Sequence, residues 1–144
     1  MKVRWTSTWA LVLVILAVGC GSTPEPDATP TPGGDVIKGL APVETIDILI
    51  LESFPVQVHV RAAGNLRDGC TTLGEITQEL EGSTFAVTIG TTRPADALCT
   101  EALVPFETTI ALDVLGLKAG TYTVTVNGVS GTFTLSVDNV APTG

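Results

Sequence analysis

Apolar and polar residues alternate with a period of two over most of the chain beyond residue 43. Ile, Val, Leu, Phe or Tyr recur at every second position in the runs 46–50, 56–60, 85–89, 106–114, 122–126 and 133–137, with Thr108 as the one polar residue in this series. A period of two places successive side chains on opposite faces of a β-strand, and β-branched residues favour strands. A weaker run at 75–80 precedes the turn Glu81-Gly82-Ser83. The pattern predicts seven half-buried antiparallel strands and no helix.

Seven short strands within about 95 residues are typical of two antiparallel sheets packed face to face. Residues 117–124, LKAGTYTV, resemble the entry to the sixth strand of immunoglobulin-like and fibronectin-like domains. That resemblance implies a tyrosine corner, with Gly120 in the tight corner and the Tyr122 hydroxyl bonded back to the main chain. Asn127-Gly128 offers the positive φ angles of a tight hairpin turn. We therefore predict an all-β fold, a seven-stranded antiparallel immunoglobulin-like sandwich over residues 43–137.

A continuous apolar run precedes this alternating region. Residues 9–18, WALVLVILAV, follow the basic residues Lys2 and Arg4 and are shorter than the roughly 20 residues that cross a bilayer as a helix. The run ends at Ala17-Val18-Gly19-Cys20, which resembles the lipobox of bacterial lipoproteins. The resemblance implies that residues 1–19 are a signal peptide and that Cys20 is lipidated. We therefore expect the protein to be anchored by lipid in the cell membrane or outer membrane, on the extracytoplasmic face.

The segment between the cysteine and the alternating region is rich in proline. Five of residues 21–42 are Pro, and the first half of the segment has almost no apolar residue. Such a composition buries too little apolar surface to fold, and it favours extended polyproline stretches. We therefore predict a disordered tether over residues 20–42, and a disordered tail over residues 138–144.

The chain has three cysteines, and lipidation of Cys20 leaves Cys70 and Cys99. Two cysteines in an oxidising compartment favour a disulfide, although a metal pair or a catalytic thiol would also use them. A metal site needs further ligands, and His59 is the single histidine of the chain. We therefore predict a Cys70–Cys99 bridge, whose loop of about 30 residues is worth roughly 3.6 kcal/mol by loop-closure entropy.

Charge disfavours one class of partner. Of the 7 Lys and Arg, Lys2 and Arg4 lie in the predicted signal, so residues 20–144 carry 5 against 15 Asp and Glu, a formal charge of −10. We expect no nucleic acid partner, because a phosphate backbone is bound by clustered cations.

Three arginines are nevertheless expected together. The alternating directions of the predicted strands place Arg61, Arg67 and Arg93 at the end of the sandwich that also carries the two cysteine-bearing loops. One interpretation is an end that binds anions or faces the membrane. The other, which we favour, is that Asp68 and Asp96 form surface ion pairs with these arginines.

Catalytic motifs are missing from the sequence. There is a lone histidine, no Gly-x-Ser-x-Gly segment and no phosphate-binding loop, so we expect no enzyme activity, no metal and no cofactor.

Two functions from different classes remain. One is a binding module for an envelope protein or a surface glycan, with a loop-presenting protease inhibitor as a less favoured variant. The other is a structural envelope lipoprotein with a spacing or packing role. We favour the binding module, because a loop as long as the predicted one at 91–105 is usually functional or disordered. Its candidate surface consists of Arg61, Arg67, Thr92, Arg93, Pro94, Ala95, Asp96 and Ala97.

Overall fold

The computed structural model describes residues 34–142, so the predicted signal peptide, Cys20 and the first part of the predicted tether lie outside it. The described residues form an all-β sandwich, which confirms the predicted fold class. No helix in this part of the chain is long and apolar enough to cross a membrane. The strands are β1 (Val36–Leu40), β2 (Val43–Leu51), β3 (Gln57–Leu66), β4 (Thr72–Glu81), β5 (Thr84–Pro94), β6 (Val104–Leu112), β7 (Gly120–Val126) and β8 (Val129–Leu135).

The eight strands form two sheets. The smaller sheet has the order β2-β3-β6, and the larger one contains β1, β4, β5, β7 and β8. Strand β5 lies at the centre of the larger sheet, with β4 along one edge. Its other edge is shared, because β7 pairs with residues 84–87 and β1 pairs with residues 90–94. Strands β1 and β7 therefore lie end to end beside β5.

One pairing departs from the prediction of a wholly antiparallel sandwich. Strands β5 and β7 run parallel, whereas every other strand pairing within residues 34–142 is antiparallel. The chain leaves β5 for the smaller sheet, forms β6 there and returns to the larger sheet as β7. Two crossings between the sheets restore the original chain direction, which makes the pair parallel.

The core lies between the sheets and follows the predicted alternation. Its aromatic part consists of Phe85, Tyr122 and Phe133, whose ring centroids are 5.5 to 6.3 Å apart. The Tyr122 hydroxyl donates to the carbonyl oxygen of Lys118 at 2.9 Å, so this polar group is satisfied at the margin of the core. Fully buried aliphatic residues surround the rings, among them Val58, Val60, Ala62, Ile89, Val124 and Val126.

The folded domain begins before the predicted boundary at residue 43. Strand β1 lies within the predicted tether, and Ala41, just after it, is buried and donates its N–H to Ile89. The composition of residues 20–42 as a whole does not indicate this strand, because the prolines are concentrated in the first half of the segment and the apolar residues in the second half. The chain then crosses to β2 against Gly64, where an added Cβ would collide with the Pro42 carbonyl oxygen.

The domain also extends into the predicted disordered tail. Asn139 is fully buried, and its side-chain Oδ1 accepts from the N–H of Val56 at 2.7 Å. Its Nδ2 donates to the carbonyl oxygens of Val56 at 2.8 Å and Val114 at 2.9 Å. Val56 precedes β3 and Val114 follows β6, so the amide supplies the hydrogen bonds that strand pairing no longer provides.

A second asparagine side-chain amide lies where the edge of β5 changes from pairing with β7 to pairing with β1. Asn127 and Gly128 have φ angles of 45° and 97°, in agreement with the predicted hairpin turn between β7 and β8. The Asn127 side chain accepts from the N–H of Ile89 at 3.0 Å and donates to the carbonyl oxygens of Ala41 and Ile89, both at 2.8 Å. It thus joins the ends of β1 and β7 to the middle of β5.

We predict that Asn139→Ala lowers the free energy of unfolding by about 2 to 4 kcal/mol, because the partly buried main-chain groups of Val56 and the buried carbonyl of Val114 lose their partner. Urea denaturation measures this change. Val140→Ala is the control, because Val140 is 46% exposed and should cost less than about 1 kcal/mol. Equal effects of the two substitutions would contradict the role given to the Asn139 amide.

Candidate functional site

A disulfide joins two loops at one end of the sandwich. Cys70 and Cys99 are bonded, with a Cα–Cα distance of 5.5 Å, as predicted. The bridge connects the segment between β3 and β4 to the segment between β5 and β6, and Gly69 donates its N–H to the Thr100 carbonyl at 3.1 Å. We call this region, residues 67–71 and 95–103 with the adjoining start of β1, the disulfide end.

The carboxylate of Asp68 organises the first of these loops. Its Oδ1 accepts from the N–H of Cys70 at 3.0 Å, and from the N–H and hydroxyl of Thr71 at 2.8 and 2.7 Å. Its Oδ2 lies 2.9 Å from Nε of Arg93. The Thr71 hydroxyl, followed by the two main-chain N–H groups and the Arg93 charge, lowers the pKa of Asp68 below its usual range. One carboxylate therefore connects the bridged loop to strand β5.

Arg93 holds this carboxylate by charge rather than by a linear hydrogen bond. Its Nε is buried, and the Nε–H bond is not directed at the Asp68 carboxylate, so this close contact lacks hydrogen-bond geometry. Its Nη2 lies 3.6 Å from Sγ of Cys99, and about a third of the side chain is exposed (31%). This ion pair is one of those expected from the sequence. Asp96, the other expected partner, has no cation within 4.0 Å among residues 34–142.

A cleft opens between β1 and the bridged loop. Its volume is about 400 Å³, and its charged lining consists of Lys38, Arg67, Asp68 and Arg93. Three cations against one carboxylate give the cleft an excess of two positive charges in an acidic protein, and Arg67 has no acidic partner within 4.0 Å in the described chain. The remaining lining residues are uncharged: Ile37, Gly39, Leu40, Pro42, Thr71 and Thr91.

Arg61 does not join the other two arginines, contrary to the prediction. Strand β3 continues to Leu66 instead of ending near Arg61, so Arg61 lies in mid-strand, roughly 17 Å from the strand end at 3.3 Å per residue. It points away from the core and forms an ion pair with Asp47 at 3.0 Å. This hydrogen bond raises the pKa of the already basic Arg61.

The predicted long loop at 91–105 is shorter in the structure. Thr92, Arg93 and Pro94 belong to β5, and β6 begins at Val104. Thr92 lies on the outer face of the larger sheet, where its hydroxyl is 3.1 Å from that of Thr72. The irregular segment is therefore 95–103, which keeps Ala95, Asp96 and Ala97 of the candidate surface.

Two apolar side chains project from this segment into solvent. Leu98 is fully exposed (103%), and Leu103 is 68% exposed. Ala95 ties the segment to β1, since its N–H donates to the Asp35 carbonyl at 2.8 Å. Sequence reasoning missed the contribution of β1, although the apolar residues of 36–41 were a signal for it. Within residues 34–142, no three His, Cys, Asp or Glu side chains are grouped so that they could hold a metal ion.

Comparison with known proteins finds a matching family model and three similar proteins. Residues 60–135 match the family model described as the ORF11 beta-sandwich domain. An uncharacterized 10.2 kDa protein in the HgiCIIM 5′ region of Herpetosiphon aurantiacus is 41% identical over 88 residues, which cover 61% of this chain and 93% of that protein. Two further uncharacterized 10.2 kDa proteins of that organism, in the HgiBIM and HgiEIM 5′ regions, are each 46% identical over 78 residues, or 54% of this chain and 94% of theirs. No solved structure matches.

We predict that the Asp68 contacts stabilise the fold only where this carboxylate is ionised. Because its pKa is lowered on folding, the contribution is complete above the unfolded value of about 3.9 and disappears as the pH falls through the folded value. Denaturation between about pH 7 and pH 3 should show Asp68→Asn less stable than wild type at neutral pH, with the difference shrinking as the pH falls below about 3.9. Asp96→Asn is the control. A difference for Asp68→Asn that persists unchanged in acid would contradict the prediction.

Proposed function

The chain belongs to the ORF11 beta-sandwich domain family, and we propose that this member is a lipid-anchored binding module on the extracytoplasmic face of a bacterial cell envelope. Cys20 carries the anchor in this proposal, and the disulfide end carries the surface that contacts an envelope protein. We expect the binding module to have no catalytic activity.

The observation that carries this proposal is the place where the chain enters the sandwich. Asp35 accepts a hydrogen bond from Ala95, and Val36 pairs with Pro94, so β1 starts at the disulfide end. The chain between Cys20 and Asp35 can span at most roughly 50 Å when fully extended. A lipid on Cys20 would therefore hold the disulfide end within that distance of the membrane surface.

The chemistry of the disulfide end supports a binding role. Leu98 and Leu103 are exposed apolar residues on a segment that the Cys70–Cys99 bridge fixes to the neighbouring loop. Arg67, which has no acidic side chain within 4.0 Å among residues 34–142, adds a cation at the same end. Exposed apolar and cationic side chains on a rigid support are typical of protein interaction sites, because little conformational entropy is lost on binding.

We predict that Cys20→Ser abolishes lipidation and releases the protein from the membrane fraction, because no acyl chain then remains to hold it. Metabolic labelling with an alkyne palmitate followed by fractionation measures both effects. The double substitution of Cys70 and Cys99 by Ser is the control, since it removes the bridge and should leave labelling unchanged. Labelling that survives Cys20→Ser would contradict the anchor.

We predict that Leu98→Ser weakens capture of the envelope partner, because the side chain would be buried in the complex. The full chain, purified in detergent, is immobilised and saturable capture of membrane-fraction proteins is quantified. Leu115→Ser is the matched control, because Leu115 is 57% exposed in the connection between β6 and β7, outside the disulfide end. Equal capture by the two variants, or no saturable capture by wild type, would contradict the assigned surface.

A further inference from the structure

Strand β1 leaves one of its two edges unpaired. The N–H of Ala41 and the carbonyl of Asp35 point to β5, where they bond to Ile89 and Ala95. Alternate residues of a strand direct their main-chain groups to opposite edges, so those of Val36, Lys38 and Leu40 point away from β5. No other strand of residues 34–142 pairs with β1. Three N–H and three C=O groups are therefore available to an added strand.

The edges formed by β4 and β6 are protected. Strand β4 has an irregularity between Leu73 and Ile76 and carries glutamates at 75, 79 and 81. Strand β6 is covered by the Gln78 side chain, which donates to the Ala111 carbonyl at 3.0 Å and accepts from the Asp113 N–H at 3.1 Å. Bulges, charges and covering groups are the usual devices that prevent pairing at an edge. Strand β1 has neither a bulge nor a proline, and Lys38 is its one charged residue.

The side chains beside this edge define what would fit. Val36 and Leu40 flank Lys38 on the outer face, and the two apolar residues are 55% and 64% exposed. Ile37 pairs with Arg93 and shares its face, which looks into the cleft that Arg67 and Arg93 line. An added strand would thus meet a cation on each of its faces. The complementary sequence has acidic residues opposite Lys38 and Ile37, and apolar residues opposite Val36 and Leu40.

We propose that β1 is the docking strand for an extended acidic segment of a partner polypeptide, which pairs with its free edge and directs one carboxylate into the cleft. The main-chain hydrogen bonds supply affinity, and Lys38, Arg67 and Arg93 select the acidic sequence. The proposal deepens the proposed function and takes from it only the location of the partner. A second copy of this chain fits less well, because symmetric antiparallel pairing about Lys38 would place two lysines opposite each other.

The test uses the full chain in detergent and labelled peptides whose binding is measured by fluorescence anisotropy. The probe is the nonapeptide STVTEDVTS, which in antiparallel pairing sets its glutamate opposite Lys38 and its aspartate opposite Ile37. STVTKKVTS reverses the charge. A third peptide is the probe with its glutamate nitrogen methylated, which removes the N–H that would bond to β1 and retains both carboxylates. We expect saturable binding of the probe, and at least about tenfold weaker binding of both other peptides.

Two substitutions of one residue separate edge pairing from charge. Lys38→Pro removes the N–H that points away from β5 and leaves the ladder to β5 intact. Lys38→Thr removes the charge and keeps that N–H. We expect Lys38→Pro to lose probe binding, and Lys38→Thr to retain it with a smaller preference over the lysine peptide. Unfolding curves check that both variants are folded.

Several results would overturn the proposal. They are absence of probe binding, equal binding of the methylated peptide, or equal binding by wild type and Lys38→Pro. A concentration-dependent dimer that Lys38→Pro abolishes would assign the edge to a second copy instead. None of these measurements depends on the lipid, so failure here is distinct from loss of palmitate labelling at Cys20.

Discussion

Every buried main-chain N–H and C=O group needs a hydrogen-bond partner, and this requirement determines how the two sheets are joined. A strand that ends or changes partners inside a sandwich leaves such groups unpaired. Here side-chain amides supply the missing partners. Asn139 bonds to the main chain of Val56 and Val114, and Asn127 bonds to that of Ala41 and Ile89. Each amide has both a donor and an acceptor, so it replaces a residue of a neighbouring strand.

The shared edge of β5 follows from this arrangement. Without the Asn127 amide, the N–H of Ile89 would lose its hydrogen-bond partner in the gap between β7 and β1. With it, the chain can add β1 beyond the end of β7 and bring its own entry point to the disulfide end. Asp68 then fixes the neighbouring loop, and the cleft forms between that loop and β1. The free edge and the cationic cleft therefore depend on the same hydrogen-bond network.

Much of this architecture is predictable from local patterns. Alternation at residues 46–50 or 85–89 identifies a strand because the period of two is a property of the strand itself, and cysteine parity identifies the Cys70–Cys99 bridge. The failures involve non-local contacts. The local sequence places Asn139 in a polar tail, and only the fold brings Val56, 83 residues away, beside it. Likewise, no local feature reveals that β3 continues past Arg61 or that β5 and β7 are parallel. The cleft is not predictable from the sequence, because one of its walls is β1, which directly follows a proline-rich segment.

Residue-resolved amide hydrogen exchange in the full chain distinguishes interior main-chain groups that are satisfied by side-chain amides from those that stay open at the β1 edge. We predict slow exchange at Ile89, which bonds to the Asn127 side chain, and at Ala41, with fast exchange at Lys38 and Leu40. Addition of the acidic peptide STVTEDVTS should then slow Lys38 and Leu40 selectively. Fast exchange at Ile89, or slow exchange at Lys38 and Leu40 in the free protein, would contradict the account.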